Sequence, residues 1–356
     1  MTTIAVLPGD GIGPEVTRAA VQVLRFVRPD LECIEADVGA AALRAGKDPL
    51  PQQTRDLCER SAAILFGAVG LPEYENLPLS KRPESALFTL RHDFELFANL
   101  RPVRVFPGLE TASSLRPDLV TGLDLIVVRE LTSGIYFGQP KERRVVSGIE
   151  EAVDTMYYSA PQIERIAHVA FALARGRRQH VTSVDKHNIL ETSGLWREVV
   201  TKVARDYADV CVEHLLVDNA AMQLIRRPKD FDVILTENMF GDILSDEAAM
   251  LTGSVGNLPS ASLGTRAYAD RQFGMYEPIS GTAPDIAGKG IANPTAAILS
   301  AAMLLRHSLA DPLAAQRIEA AVAKVFQQGA RTAELASRGA AFYNTQEFTE
   351  LIVSKL

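Results

Sequence analysis

Two aspartates, Asp242 and Asp246, stand four residues apart in the stretch FDVILTENMFGDILSDE (231–247). Phe231 to Thr236 is a short apolar run that reads as a buried strand, and a turn at Glu237-Asn238 leads from it into a helix. A spacing of four puts both carboxylates on one helix face, one turn apart, where like charges repel. A divalent cation would reverse that cost, and hard carboxylate oxygens on adjacent turns suit Mg²⁺ or Mn²⁺. Taken alone, the pair also reads as an acidic helix face in water. The remaining polar residues decide between the two.

Arg129 ends the apolar run DLIVVRE, Lys186 follows the run at 180–184, and Asp218 follows the run at 213–217. Each therefore falls at the C-terminal end of an expected strand or the start of the next helix, where ligands of α/β sheets collect. Arg91, Arg101 and Tyr136 precede or follow such ends. Three arginines would bind a substrate with two carboxylates through forked, charge-assisted hydrogen bonds. Three aspartates would hold a divalent cation. A lysine and a tyrosine could move protons once a neighbouring cation tunes them.

The elements that must position these groups alternate along the chain. Ile4 to Leu7 reads as a strand, GDGIGPE (9–15) as a turn with Pro14 at the first helical position, and Val16 to Val27 as a helix. Strand, Gly-rich turn and helix invite a dinucleotide-binding reading, with Asp37 near the distance of a ribose ligand. The spacing fails, because Gly9, Gly11 and Gly13 alternate where the fingerprint needs two residues before its third glycine. The remaining reading is a tight turn that something approaches closely. Residues 62–66 read as a buried strand, 67–83 as a long loop, and 84–92 as a helix. Residues 141–158 read as an exposed arm or hairpin, 161–174 as an amphipathic helix, and 192–207 as a helix carrying the sole tryptophan, Trp196. The basic run RGRRQ (175–179) reads as a solvated loop end. After 252 the texture turns to small residues and loops. Helix 295–307 is apolar nearly all round and so belongs in a core or an interface. Two more helices and a short strand close the chain. The alternation specifies an α/β protein with a mixed or parallel sheet.

Bulk properties narrow the classes. The 356 residues suffice for two domains or two lobes; they are 47% hydrophobic and 23% charged, with a formal net charge of −7. That balance argues against nucleic-acid binding. Cys33, Cys58 and Cys211 have no metal-ligand spacing and fit a reducing, cytoplasmic setting. No basic n-region with an apolar h-region opens the sequence, and no apolar run approaches membrane-spanning length, so no membrane partner is expected.

Seven segments carry a family resemblance: LPGDGIGPEV (7–16), LFANLRP (96–102), VRELTSGIYFGQP (128–140), SVDKHNIL (183–190), VDNAAMQL (217–224), NMFGDILSDE (238–247) and GTAPDIAGKGIANP (281–294). Through them the whole chain resembles the metal-dependent β-decarboxylating dehydrogenases of the isocitrate/isopropylmalate type. The resemblance implies an α/β, isopropylmalate-dehydrogenase-like fold with a mixed sheet flanked by helices, not a Rossmann domain. It implies two lobes, 1–96 plus 253–356 and 97–252, with an arm at 141–158 that clasps a second subunit.

By the same resemblance, Arg91, Arg101 and Arg129 grip the malate carboxylates, and Asp218, Asp242 and Asp246 hold Mg²⁺ or Mn²⁺. Tyr136 and Lys186 form the acid/base pair. Gly281, Thr282, Ala283, Pro284, Asp285, Ile286 and Asn293 bind the cofactor, with Asp285 facing the adenosine ribose. An anion there accepts from both ribose hydroxyls of NAD and repels the 2′-phosphate of NADP. The implied partner is a second copy, a homodimer in which Lys186 and Asp218 of one subunit complete the site of the other. Glu84, Leu87 and Phe88 lie where the family reads the substituent on C3 of its small-molecule substrate; they offer apolar surface plus one acid, which favours an alkyl group. The implied activity is oxidation and decarboxylation of 3-isopropylmalate in leucine biosynthesis. Phe88 and Ser280 depart from the family pattern, and Phe88 keeps another 3-alkylmalate, D-malate or tartrate as alternatives. A non-catalytic subunit would have lost one of the acid/base or metal residues, and all are present.

Overall fold

The computed structural model describes residues 2–268 and 271–356. The strands among them are β1 (Thr2–Gly9), β2 (Leu31–Glu35), β3 (Ala63–Ala68), β4 (Ala98–Arg104), β5 (Asp124–Glu130), β6 (Lys141–Val146), β7 (Ile149–Asp154), β8 (His180–Asp185), β9 (Cys211–Leu216), β10 (Val233–Thr236), β11 (Pro259–Tyr268) and β12 (Arg271–Pro278). The chain divides into two units: Met1–Leu96 with Arg104–Gly122 and Ala249–Leu356, and Phe97–Val103 with Leu123–Ala248. Residues 104–122, which fall inside the second lobe as read from sequence, thus pack with the first unit. Phe106 lies 5.5 Å from Phe326, centroid to centroid, and the Gly108 carbonyl accepts from Arg331.

In the first unit the strand order is β2-β1-β3-β12-β11. The pairs are parallel except β11, which runs antiparallel to β12. β3 is buried at every position, as expected of an unbroken apolar strand covered on both faces. The helix Thr295–His307 packs on β11 and β12 and against the helices Gly13–Val27 and Pro312–Gln327. Its all-round apolar character is therefore that of a core helix.

β11 and β12 correct the sequence reading, which had loops there. The composition of β11 hides it: PSASLG has only one bulky apolar side chain, yet all six residues are buried. Gly264 is required where the chain at 94–95 crosses β11, since a Cβ would stand 2.7 Å from the Glu95 carbonyl oxygen. The expected last strand is also absent among the described residues; the chain closes with the helix Thr345–Val353, whose N-cap Asn344 and Glu347 form a capping box.

The Gly-rich turn after β1 serves the fold. Asp10 is buried and accepts from the backbone N–H groups of Ala40, Ala41 and Gly70, each at 3.0 Å. What approaches Gly11 is the chain itself: the Thr282 carbonyl accepts from the Ile12 N–H at 2.9 Å, and a Cβ on Gly11 would fall 2.0 Å from that oxygen. Asp37 pairs with Lys47 at 3.1 Å, so its ribose-like spacing has a local explanation.

In the second unit the order is β4-β5-β10-β8-β9. β5, β10, β8 and β9 run parallel, with Thr236 opposite both Arg129 and Val184, and Asp185 opposite Leu216. Parallel strands bring their C-terminal ends to one edge. That register is why Arg129, Lys186, Asp218 and the helix after β10 share an edge despite their distance in sequence. Trp196 is core, edge-on to Tyr158 and donating to Ser183 Oγ at 3.3 Å. The basic run is spent inside the chain: Arg175 pairs with Asp209, and Arg177 with Asp124 and Asp232. β6 and β7 form a separate two-stranded hairpin, exposed along nearly its whole length. Among the described residues no helix is long and apolar enough to cross a membrane.

Candidate active site

The second unit assembles five of the residues singled out from sequence. Arg129, near the end of β5, is buried and donates from Nη1 to Asp242 Oδ1 at 2.5 Å. Its Nε and Nη2 both donate to Asn238 Oδ1, at 3.0 and 2.8 Å. Gly241 makes room for its stem, because a Cβ there would stand 2.6 Å from Arg129 Cγ. Arg101 on β4 donates from Nε to Asn99 Oδ1 at 2.7 Å and from Nη1 to Ser245 Oγ at 2.6 Å. The same Nη1 lies 3.5 Å from Asp242 Oδ1 and 3.6 Å from Asp246 Oδ1. The Tyr136 hydroxyl donates to Asp242 Oδ2 at 3.0 Å.

The helix Asn238–Ala249 can present two carboxylates because two fixed guanidiniums offset their repulsion. Its first turn is capped by Glu237, which accepts from the N–H groups of Met239 at 3.1 Å and Phe240 at 2.7 Å. Burial pushes the Asp246 carboxyl above its ordinary range; Arg101 opposes this and Asp242 adds to it. Burial, followed by the nearby Asp242 carboxylate, raises the Tyr136 phenol, which therefore stays protonated and able to donate.

Lys186 follows β8 and Asp218 opens the helix Val217–Arg226; Nζ and Oδ1 are 2.7 Å apart. The hydrogen bond from Lys186 holds the Asp218 carboxyl below its usual range. Asp185, just before Lys186, is buried and clamped by Arg197 at 2.8 and 3.0 Å, which fixes the strand end.

The three aspartates do not form a metal-binding group within one chain: among the described residues no three His, Cys, Asp or Glu side chains gather so. Asp242 and Asp246 do suit a hard cation. They supply carboxylate oxygens on adjacent turns, and their mutual repulsion, felt at Asp246, is what a cation relieves.

In the first unit, Arg91 lies on the helix Ser85–Asp93 and is buried, with Nη2 donating to Glu277 Oε1 at 2.9 Å. Its Nε is buried without an acceptor, as is Glu84 Oε2 on the donor side. A buried guanidinium with an unused donor is poised for a carboxylate ligand. Leu87 packs against the core cluster of Ala86, Leu90 and Phe94, whereas Phe88 points outward and is 44% exposed. The two residues read from sequence as one apolar surface thus have different settings.

The 281–294 segment is a chain of turns. The Ile286 N–H donates to the Ala283 carbonyl and the Lys289 N–H to the Ile286 carbonyl, each at 3.1 Å. Gly281, Pro284 and Asp285 are exposed, Thr282, Ala283 and Ile286 half-buried. Asn293 has an internal occupation: its Nδ2 donates to Asn257 Oδ1 at 2.9 Å and Glu334 Oε1 at 2.8 Å, and its Oδ1 accepts from the Thr295 N–H at 3.0 Å. Sequence reasoning missed Asn238, Asn99 and Glu277, the partners of the three arginines. Asn238 carried a signal, since it stands three residues before Gly241-Asp242 on the helix that bears the carboxylates.

A mixed α/β sheet with arginine-held carboxylates at parallel strand ends, and no Rossmann glycine turn, is the pattern of one dehydrogenase class. The chain belongs to the isocitrate/isopropylmalate dehydrogenase family, whose model matches residues 3–352. Proteins named 3-isopropylmalate dehydrogenase are its relatives: that of Bordetella avium is 55% identical over 99% of both chains, and that of Methylococcus capsulatus is 54% identical over 99% of this chain and 98% of its own. Among solved structures, isocitrate dehydrogenase from Methylococcus capsulatus superposes with a TM-score of 0.88 at 35% identity, covering 100% of this chain and 99% of that one. A β-decarboxylating dehydrogenase from Thermococcus kodakarensis gives 0.81 at 37% identity, covering 100% and 96%.

Proposed function

We propose that this chain oxidises and decarboxylates (2R,3S)-3-isopropylmalate to 4-methyl-2-oxopentanoate and CO₂ with reduction of NAD, in the cytoplasm, as a step of leucine biosynthesis. The observation that carries the reading is a contrast within one organism. The chain is 54% identical to the Methylococcus capsulatus protein named for isopropylmalate and 35% identical to the one named for isocitrate. The apolar Leu87 and Phe88 agree with an alkyl substituent in place of a third carboxylate.

Each residue then has a task. Arg91, Arg101 and Arg129 bind the two malate carboxylates with preset forks. Lys186 takes the proton of the 2-hydroxyl. Tyr136, kept protonated, delivers a proton to the substrate carbon that loses CO₂. Asp285, exposed at a turn, accepts from the ribose hydroxyls of NAD and repels the 2′-phosphate of NADP. Mg²⁺ or Mn²⁺ held by Asp242, Asp246 and Asp218 would acidify the hydroxyl and stabilise developing negative charge on oxygen.

A homodimer with shared sites completes the reading, and two helix faces support it. On the helix Val217–Arg226, Asp218 shares a face with Met222 and Ile225; on Asn238–Ala249, Asp246 follows Ile243 by three. These three apolar side chains are exposed. Each carboxylate thus sits on an apolar stripe that a second copy would cover. The exposed Val145, Val146 and Ile149 of the hairpin ask for the same cover.

The test is NAD reduction by the purified protein with threo-3-isopropylmalate, D-malate, tartrate and isocitrate, each with Mg²⁺ and with chelator. Metal-dependent turnover of isopropylmalate above the others is expected. Preference for another acid would move the specificity to Phe88 and its neighbours and end this reading.

A further inference from the structure

Arg129 is tied to more than Asp242. Asn238 is fully buried at the start of the helix that carries both carboxylates. Its Nδ2 donates to the Ser133 carbonyl at 2.9 Å, which fixes the orientation of the amide and leaves Oδ1 facing the guanidinium. That one oxygen accepts from both Nε and Nη2 of Arg129. The remaining nitrogen, Nη1, is thereby aimed at Asp242.

The anchor beneath Asn238 is rigid. Its backbone N–H donates to the Tyr158 hydroxyl at 3.0 Å, and that hydroxyl lies 3.4 Å from Glu237 Oε2 as donor. Ser133, which holds the amide, is itself fixed by its N–H donating to Glu130 Oε2 at 2.9 Å. Tyr158, Glu237 and Glu130 are all buried. Glu237 also caps the helix and Tyr158 also packs edge-on to Trp196, so the anchor is built into the fold. These groups converge on the direction of one guanidinium.

We propose that Asn238 is a positioning residue for Arg129: it sets the plane of the guanidinium, so that Nη1 points to the Asp242 side and to the substrate carboxylate bound there. This rests on the reading of Arg129 as a substrate ligand. An unanchored guanidinium would turn about its last bonds and lose its preset fork.

The experiment compares N238A, R129K and the double variant as intact protein. Steady-state kinetics should show the KM for 3-isopropylmalate raised about tenfold or more in N238A, the loss expected for a charge-assisted contact, with the KM for NAD unchanged and kcat affected less. The double variant should be no worse than R129K, because the effect runs through Arg129. Additive losses, or a fall in kcat at unchanged KM, would overturn the proposal. A second readout does not need turnover. The Arg129 Nε–H resonance, assigned by its absence in R129K, should be protected from exchange in wild type, lost in N238A and retained in D242N. Loss in D242N would overturn the assignment even if N238A failed to fold. Inactivity of wild type on isopropylmalate would sink the functional reading instead, and the resonance would still decide the placement of Arg129.

Discussion

The charged cluster of the second unit and the 281–294 segment of the first are built in opposite ways. In the cluster, side chains hold side chains: Arg129 on Asn238 and Asp242, Arg101 on Asn99 and Ser245, Tyr136 on Asp242. They stem from β4, the end of β5, the short turn at Gly134–Tyr136 and one helix. The 281–294 segment is shaped by its backbone, through consecutive turns and the seat of Thr282 on the turn at Gly11. A substrate with two charges needs directional groups at set angles, and rigid elements supply them. On the proposed reading, a nucleotide's sugar and phosphates would need a surface that lets them come close, and small residues would supply that.

The comparison breaks most sharply at the cluster. Lys186→Ala should lower kcat by about 10²–10⁴-fold, the usual size of a lost general base, while the melting temperature stays near wild type. Asp242→Asn should abolish metal-dependent turnover with the secondary structure intact by circular dichroism. An active variant at either position would refute its assigned role.

At the 281–294 segment the effect should be one of binding. Asp285→Ala is expected to raise the KM for NAD about tenfold, the loss of a charged hydrogen-bond acceptor, and to narrow the preference for NAD over NADP with kcat little changed. If kcat falls instead, the segment does more than bind.

Gly11→Ala tests the backbone side directly. The φ of +58° and the Thr282 oxygen 2.0 Å from the added Cβ should together cost about 1–3 kcal/mol, read as a lowered urea midpoint. A neutral result would mean that the Thr282 seat yields easily.

The last effect, outside the cluster, concerns acid. His307, at the end of the helix Thr295–His307, is pushed down to about 4, first by burial and then by Arg306. The unfolded chain therefore takes up a proton below the ordinary histidine range that the folded chain refuses until near pH 4. Stability contributed by the neutral ring is present above the ordinary range and falls as pH drops through that window. His307→Gln should flatten the dependence of stability on pH between about 6.5 and 4, by on the order of 3 kcal/mol, in urea titrations across that range. An unchanged slope would mean that other groups carry it.

Much of this was legible in advance because strand ends announce themselves. An apolar run that stops at an arginine, lysine or aspartate, as at Arg129, Lys186 and Asp218, is readable without neighbours. The pairing of Asp242 with two arginines was not legible, because the sequence reading gave the arginines to a substrate and the carboxylates to a cation. β11 was hidden because burial without bulk leaves no hydrophobic signal: Ser260, Ser262 and Gly264 resemble a loop. The role of Gly11 needed its partner, Thr282, far along the chain. Asn238 and Glu277 were overlooked because a neutral amide or a lone acid gains its meaning only from what stands opposite, and a sequence does not show what stands opposite.

The first unit is stitched from both ends of the chain. β3 pairs with β1 on one side and with β12 on the other, Ile64 opposite Met275 and Leu65 opposite Tyr276. During synthesis β1 to β3 emerge from the ribosome long before β12 exists. The second unit, whose longer segment runs unbroken from 123 to 248, is complete before that. A sheet begun before the second unit is thus finished after it. Until β12 and the helix behind it arrive, β3 presents an open edge of unpaired backbone groups between uncovered apolar faces, and this is the surface that a nascent-chain chaperone would have to shield.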